Sequence, residues 1–224
     1  MKRTTNTQPE PATLFIAASE TDANLYYATR FLAPDPFVYL EVKGERFLVM
    51  SDLEMDRAKA HATVDRVLSY SEFERKAKAN GTKEPTTVDV VHTVLKEFKV
   101  RRLLVPANFP FIHAMRLQEL GYSLQAKRDP FYEQRVVKSS EEVQAIEAAQ
   151  RATEEAVASA HEWLRRATIR DGELWFEGSV LTSERIKRLI NVKLMERSCV
   201  GQHTIVEGGE QACDPHDEGS GPLP

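Results

Sequence analysis

The chain has 224 residues, 42% of them hydrophobic and 29% charged, and its 30 basic and 34 acidic side chains leave a net charge of -4. That length suits one or two domains, and the charge balance offers no attraction for nucleic acid or an anionic membrane as partner. No apolar stretch approaches the ~20 residues of a membrane helix. Two cysteines, Cys199 and Cys213, make no disulfide framework in a chain this long, so the expected setting is reduced and cytoplasmic.

Residues 1–11 are polar, with Lys2, Arg3, Pro9 and Pro11 and no apolar secretory segment, and read as a disordered tail. Thr13 to Ala18 is a short apolar run suited to a buried strand. Ser19 and Asp22 offer N-caps for a helix from Ala23 to Phe31, which Ala33-Pro34-Asp35-Pro36 ends. Phe37 to Val42 and Arg46 to Met50 read as strands joined at Lys43-Gly44, a hairpin signal. Ser51-Asp52 is expected to cap a helix running to about Ala62. Arg66 to Ser69 reads as a strand, and Ser71 to Ala79 as a charged helix ended by Asn80-Gly81; with Thr82 these fit a glycosylation pattern but read as a turn.

Val88, Val91, Val94, Leu95 and Phe98 stripe one side of a helix predicted over Thr86 to Phe98. Arg102 to Val105 is a strand, Phe109 to Leu120 a helix closed by Gly121, and Tyr122 to Ala126 a strand. Strands alternating with helices predict an α/β layered domain over residues 12–134.

The pattern changes near Arg135. Ser139 and Glu142 form a capping box before a long helix, Ser140 to Ala167, whose apolar face steps through Val143, Ile146, Thr153, Val157, Ala160 and Leu164. Thr168 to Gly178, with Asp171-Gly172, reads as a turn region. Leu181 to Arg197 is a second helix, Gly201 to Val206 a strand, and Glu207-Gly208-Gly209-Glu210 a turn before a Gly- and Pro-rich stretch to Pro224. Two amphipathic helices need an apolar surface to cover, and one short strand follows them. Layer packing therefore predicts an incomplete domain over residues 135–224, with apolar helix faces exposed and prone to aggregation.

Several chemistries are excluded. The sequence has no phosphate-binding loop ending in Gly-Lys-Ser/Thr and no dinucleotide fingerprint after a strand. His161-Glu162 starts like a zinc-protease helix, but Arg165 stands where the second histidine belongs. No Gly-x-Ser-x-Gly elbow is present, and neither cysteine has a histidine at a diagnostic spacing. The remaining cluster lies between Cys199 and Pro224, where His203, His216, Asp214, Asp217 and Glu218 sit among glycines. Such groups can bind metal or move protons, and by composition they also suit a solvated acidic loop.

The run Gly201-Gln202-His203-Thr204-Ile205-Val206-Glu207-Gly208-Gly209-Glu210-Gln211-Ala212-Cys213-Asp214-Pro215-His216 resembles the strand, Gly-rich turn and histidine of the M24 peptidase family. That family includes Xaa-Pro aminopeptidases, prolidases, methionine aminopeptidases and creatinases. Gly219-Ser220-Gly221-Pro222-Leu223 is similar to a variant of the Xaa-Pro branch, and Arg135-Val136-Val137-Lys138-Ser139 to the start of its catalytic domain. The resemblance implies a creatinase-type N-terminal α/β domain over 12–134 and the first part of an α+β pita-bread catalytic domain over 135–224.

It further implies a parent enzyme that hydrolyses the bond before proline in a peptide or dipeptide with two divalent ions, Mn, Co or Zn, as a cytoplasmic homodimer. Here His216 matches the histidine that contacts substrate beside the metals, and His203 lies near the pocket. The family's ligands, two aspartates, a histidine and two glutamates, would all lie beyond Pro224; Asp214, Asp217 and Glu218 match none of them. The chain alone is then expected to bind no metal and to be inactive. Within the same resemblance, a creatinase-like metal-independent C–N hydrolase and a non-catalytic binding protein stand as alternatives.

Overall fold

A computed structural model describes residues 10–224; the polar tail predicted over 1–11 lies almost wholly outside the described residues. The chain divides into two compact units, the first ending at Val136 and the second running from Val137 to Pro224.

In the first unit, β1 (Ala12–Ala17), β2 (Phe37–Val42), β3 (Glu45–Met50), β4 (Arg66–Ser69), β5 (Arg102–Pro106) and β6 (Ser123–Lys127) form one sheet in the order β4-β3-β2-β1-β5-β6. Only β2 runs against its neighbours; β1 pairs parallel with β5, β3 with β4, and β5 with β6. Successive strand side chains alternate between faces, so Leu14 and Ile16 join one core and Phe15 the other. Register brings Ile16 opposite Val38, and Val38 opposite Val49, giving a continuous apolar row across three strands.

The helices α3 (Tyr70–Ala79), α4 (Thr87–Glu97) and α5 (Phe111–Glu119) cover the Ile16 face with Phe73, Val91, Val94 and Leu117. The short helices α1 (Ala23–Thr29) and α2 (Met55–His61) cover the Phe15 face with Leu25, Ala28 and Ala58.

Local chemistry accounts for the boundaries. Asp22 accepts from the backbone N–H of Asn24 and Leu25 and so starts α1, which ends early because Arg30 turns left-handed at φ 50°. Thr86 and Asp89 form a capping box at α4. Lys43 and Gly44, at φ 53° and 82°, make the predicted hairpin turn. Ser51 and Asp52 do not cap α2: the helix starts at Met55 after Glu54, with no side-chain cap, and Asp52 instead accepts from Ser69 Oγ at 3.1 Å.

In the second unit, α6 (Ser140–Arg166) begins at the Ser139–Glu142 capping box. The predicted turn region is instead a small antiparallel sheet of β7 (Thr168–Arg170), β8 (Glu173–Phe176) and β9 (Ser179–Val180). Both of its turns use left-handed pairs, Asp171-Gly172 at φ 51° and 81° and Glu177-Gly178 at φ 52° and 81°, the geometry that matches strand twist in two-residue hairpins.

The helix α7 (Ser183–Glu196), capped by Thr182, packs along α6. The buried stripe of α6 is Ala152, Ala156 and Ala160, of which Ala160 lies on the predicted apolar face; Val143, Ile146, Val157 and Leu164 of that face are exposed, as expected for a face left uncovered. Small residues four apart let α7 approach closely and leave the branched side chains to either side. Gly201 to Val206 does not form a strand either. Within the described residues its backbone finds one such partner, Val206 N–H donating to Glu218 O at 3.1 Å, too little for a ladder.

Candidate functional site

The segment from Gly201 to Leu223 is irregular apart from a 3-10 helix over Gly209–Cys213, and is held at many points. Leu223 is buried among Ala160, Phe176, Leu181 and Ile186. Its backbone joins β8 to the chain just after β9, accepting from Leu174 N–H at 2.9 Å and donating to Leu181 O at 3.0 Å. Gly221 O accepts from Ser183 N–H at 2.9 Å, and Gly221 N–H donates to Glu184 Oε1 at 3.0 Å, which holds the Glu184 carboxyl below the usual carboxylate range. Lys187 Nζ donates to Gly219 O at 2.9 Å. Gln211 clasps Ser220 through three hydrogen bonds of 3.1 to 3.2 Å. The Gly-Ser-Gly-Pro-Leu run is thus a packed strap across the start of α7.

Gly219 is the tightest point of this strap. It has φ +79°, and a Cβ on it would collide with the carbonyl oxygen of Val206. Only glycine fits both the conformation and the space. Asp217 Oδ1 accepts from Gly219 N–H at 2.7 Å and fixes the approach.

The two sequence-predicted residues sit on this scaffold but are not brought into contact with each other. His216 lies at the exposed turn before the strap, where its backbone N–H donates to Asp214 Oδ1 at 3.0 Å. His203 is in a bend at φ 51°, not on a strand, and its Nδ1 stands 3.4 Å from Glu218 Oε1. Both partners of that pair are largely exposed, so it adds little stability. Thr204 Oγ donates to Asn191 Oδ1 at 3.0 Å and ties the bend to α7. Glu207 Oε1 is buried without a hydrogen-bond partner among the described residues.

Glu184, Lys187 and Asn191 were not singled out from sequence, since each sits on the polar side of an ordinary amphipathic helix. Among the described residues no group of three or more His, Cys, Asp or Glu is placed to hold a metal ion. Cys199 and Cys213 are both free.

No family model matches the sequence, and no curated protein matches it. Solved structures do match. The X-Pro aminopeptidase from Thermotoga maritima aligns with 95% of this chain and 55% of its own at 19% identity and a TM-score of 0.67. The prolidase from Pyrococcus furiosus aligns with 95% of this chain and 54% of its own, at 16% identity and 0.66. The Xaa-Pro dipeptidase from Bacillus anthracis aligns with 95% of this chain and 52% of its own, at 13% identity and 0.72.

The fold is that of the N-terminal region of Xaa-Pro peptidases. The chain spans about half the length of the solved structures it matches. Because the alignment takes in 95% of the chain, it reaches across both units of this Xaa-Pro peptidase fold. No helix among the described residues is long and apolar enough to cross a membrane.

Proposed function

We propose that this chain is the N-terminal portion of a metal-dependent peptidase, of aminopeptidase P or prolidase type, that cleaves the bond preceding proline. The observation that carries this reading is the coverage. A six-stranded α/β layer alone is a common architecture, whereas the same alignment continues through α6, the small sheet and α7. In this reading residues 12–134 form the N-terminal domain and 135–224 open the catalytic domain. His216, held at the rim of a strapped loop, donates a hydrogen bond to the substrate as charge develops on it. His203 lies near the substrate and holds no metal.

The two divalent ions of such an enzyme, Mn, Co or Zn, would be held by residues outside this chain, and no metal-dependent step is derived from the residues present. The whole enzyme would be a cytoplasmic homodimer acting on proline-containing peptides.

The test is to extend the coding sequence past Pro224, express the product and assay it on an Xaa-Pro dipeptide with and without Mn. Metal-dependent cleavage is expected, with His216→Ala lowering kcat/KM by roughly 100-fold or more, the scale of a lost transition-state donor. An extended protein that stays inert with Mn, or an active one indifferent to His216→Ala, overturns the assignment or the role respectively.

A further inference from the structure

The first unit contains a cavity of about 380 Å3 that has no part in the peptidase reading. Its floor is the registered row Ile16, Val38 and Val49. Its polar wall comes from three helix starts and one loop: Tyr70 opens α3, Thr87 opens α4, His113 lies in the first turn of α5, and Ser51 follows β3.

The cavity lies at the carboxyl ends of β1 and β3, on the sheet face that α3, α4 and α5 cover. The carboxyl ends of strands are where α/β sheets take ligands. A smaller cavity of about 260 Å3 shares Ile16 and Pro36 with it and opens where the chain leaves β1 at Ala18 and β5 at Asn108.

We propose that this cavity binds an uncharged small molecule with a ring and one hydrogen-bonding edge. The volume lies at the small end of the ~300–1,000 Å3 typical of small-molecule sites. Among the described residues, none of its lining side chains is an Asp, Glu, Lys or Arg. An ion would therefore lose its hydration without gaining a partner. The row of branched side chains takes the ring. The hydrogen-bonding edge is met by hydroxyls and an imidazole: Ser51, Thr87, Tyr70, whose hydroxyl reaches Thr87 Oγ only at 3.5 Å, and His113. The His113 ring packs edge-on to Phe109 and makes no hydrogen bond among the described residues. Burial lowers its pKa, so it is neutral at pH 7 and can either donate or accept.

Phenol is a suitable probe, with benzoate and benzylamine as charged comparators of the same ring. On titration into the 15N-labelled full chain, phenol is expected to shift the amides of Ser51, Thr87 and His113 saturably, with a Kd of roughly millimolar order. Benzoate and benzylamine are expected to bind at least about tenfold more weakly. His113→Leu should weaken phenol about fivefold, the loss of one neutral hydrogen bond. Ser51→Phe and Thr87→Leu each fill the cavity from its rim; whichever retains the wild-type melting transition should abolish the saturable shifts. Shifts that do not saturate, shifts that persist in a folded filling variant, or benzoate binding as tightly as phenol would each overturn the proposal.

Discussion

Replacing Gly219 by alanine tests the strap most directly. At φ +79° a side chain costs about 1–2 kcal/mol from conformation alone. The new methyl also meets Val206 O, which must retreat, so the Val206–Glu218 bond and the short Asp217–Gly219 bond are lost or strained at about 1 kcal/mol each. The total is about 3–4 kcal/mol. Gly221 provides the internal control. It has φ +73°, but nothing lies within 4 Å of its would-be Cβ, so Gly221→Ala pays the conformational cost alone, about 1–2 kcal/mol.

The two tryptophans of the sequence, Trp163 and Trp175, both lie in the second unit, and Trp163 stacks on Phe176 at 4.8 Å. Urea unfolding followed by tryptophan fluorescence therefore reads the strapped unit without the other. Equal midpoints for the two variants would show that the close approach at Gly219 contributes nothing to stability.

Three further outcomes are expected. Leu223→Ala empties the buried end of the strap and should cost about 2–4 kcal/mol by the same fluorescence assay, and a cost under about 1 kcal/mol would mean that the strap is not seated. Ser139→Ala removes the N-cap of α6 and should cost about 1 kcal/mol, while Ser139→Asp should retain most of it. Burial, helped by nearby Lys96 and Arg101, lowers the pKa of His92, whose Nδ1 lies 2.9 Å from the Tyr122 hydroxyl. The unfolded chain then binds the proton more readily, so this site contributes stability that is lost as pH falls below the ordinary histidine value of about 6.5. The drop in urea midpoint of the first unit between pH 7.5 and 5.5, followed by far-UV circular dichroism, should shrink in His92→Gln; an unchanged drop would assign it to other groups.

Sequence patterning was most informative where local chemistry decides the outcome. The alternation of strands and helices, the Ser139–Glu142 box and the Lys43-Gly44 turn all appear in the structure because each depends on a few neighbouring residues. The hairpin at Asp171-Gly172 carried its signal in plain view, yet the flanking strands are too short to show alternation. Exposure of the larger apolar side chains of α6 was expected, but the stripe that packs was legible only at Ala160, because small residues carry little apolar signal. What decides there is the approach of α7, which favours Ala152, Ala156 and Ala160. Strand propensity in Thr204-Ile205-Val206 could not make a strand without a neighbour to pair with. The cavity on the Ile16 face was invisible beforehand, since its lining is gathered from six separate stretches of chain.

The central place of β1 has a consequence for synthesis. It leaves the ribosome first among the strands, and its antiparallel partner β2 follows soon after, but its other edge waits for β5. Until β5 emerges, after β3, β4, α3 and α4, the nascent chain carries an apolar strand with one row of backbone groups unpaired. Such an edge invites pairing with other chains. Chaperone demand during translation should therefore peak before residue 102 is extruded and fall once β5 docks, a profile that ribosome-associated folding assays can resolve.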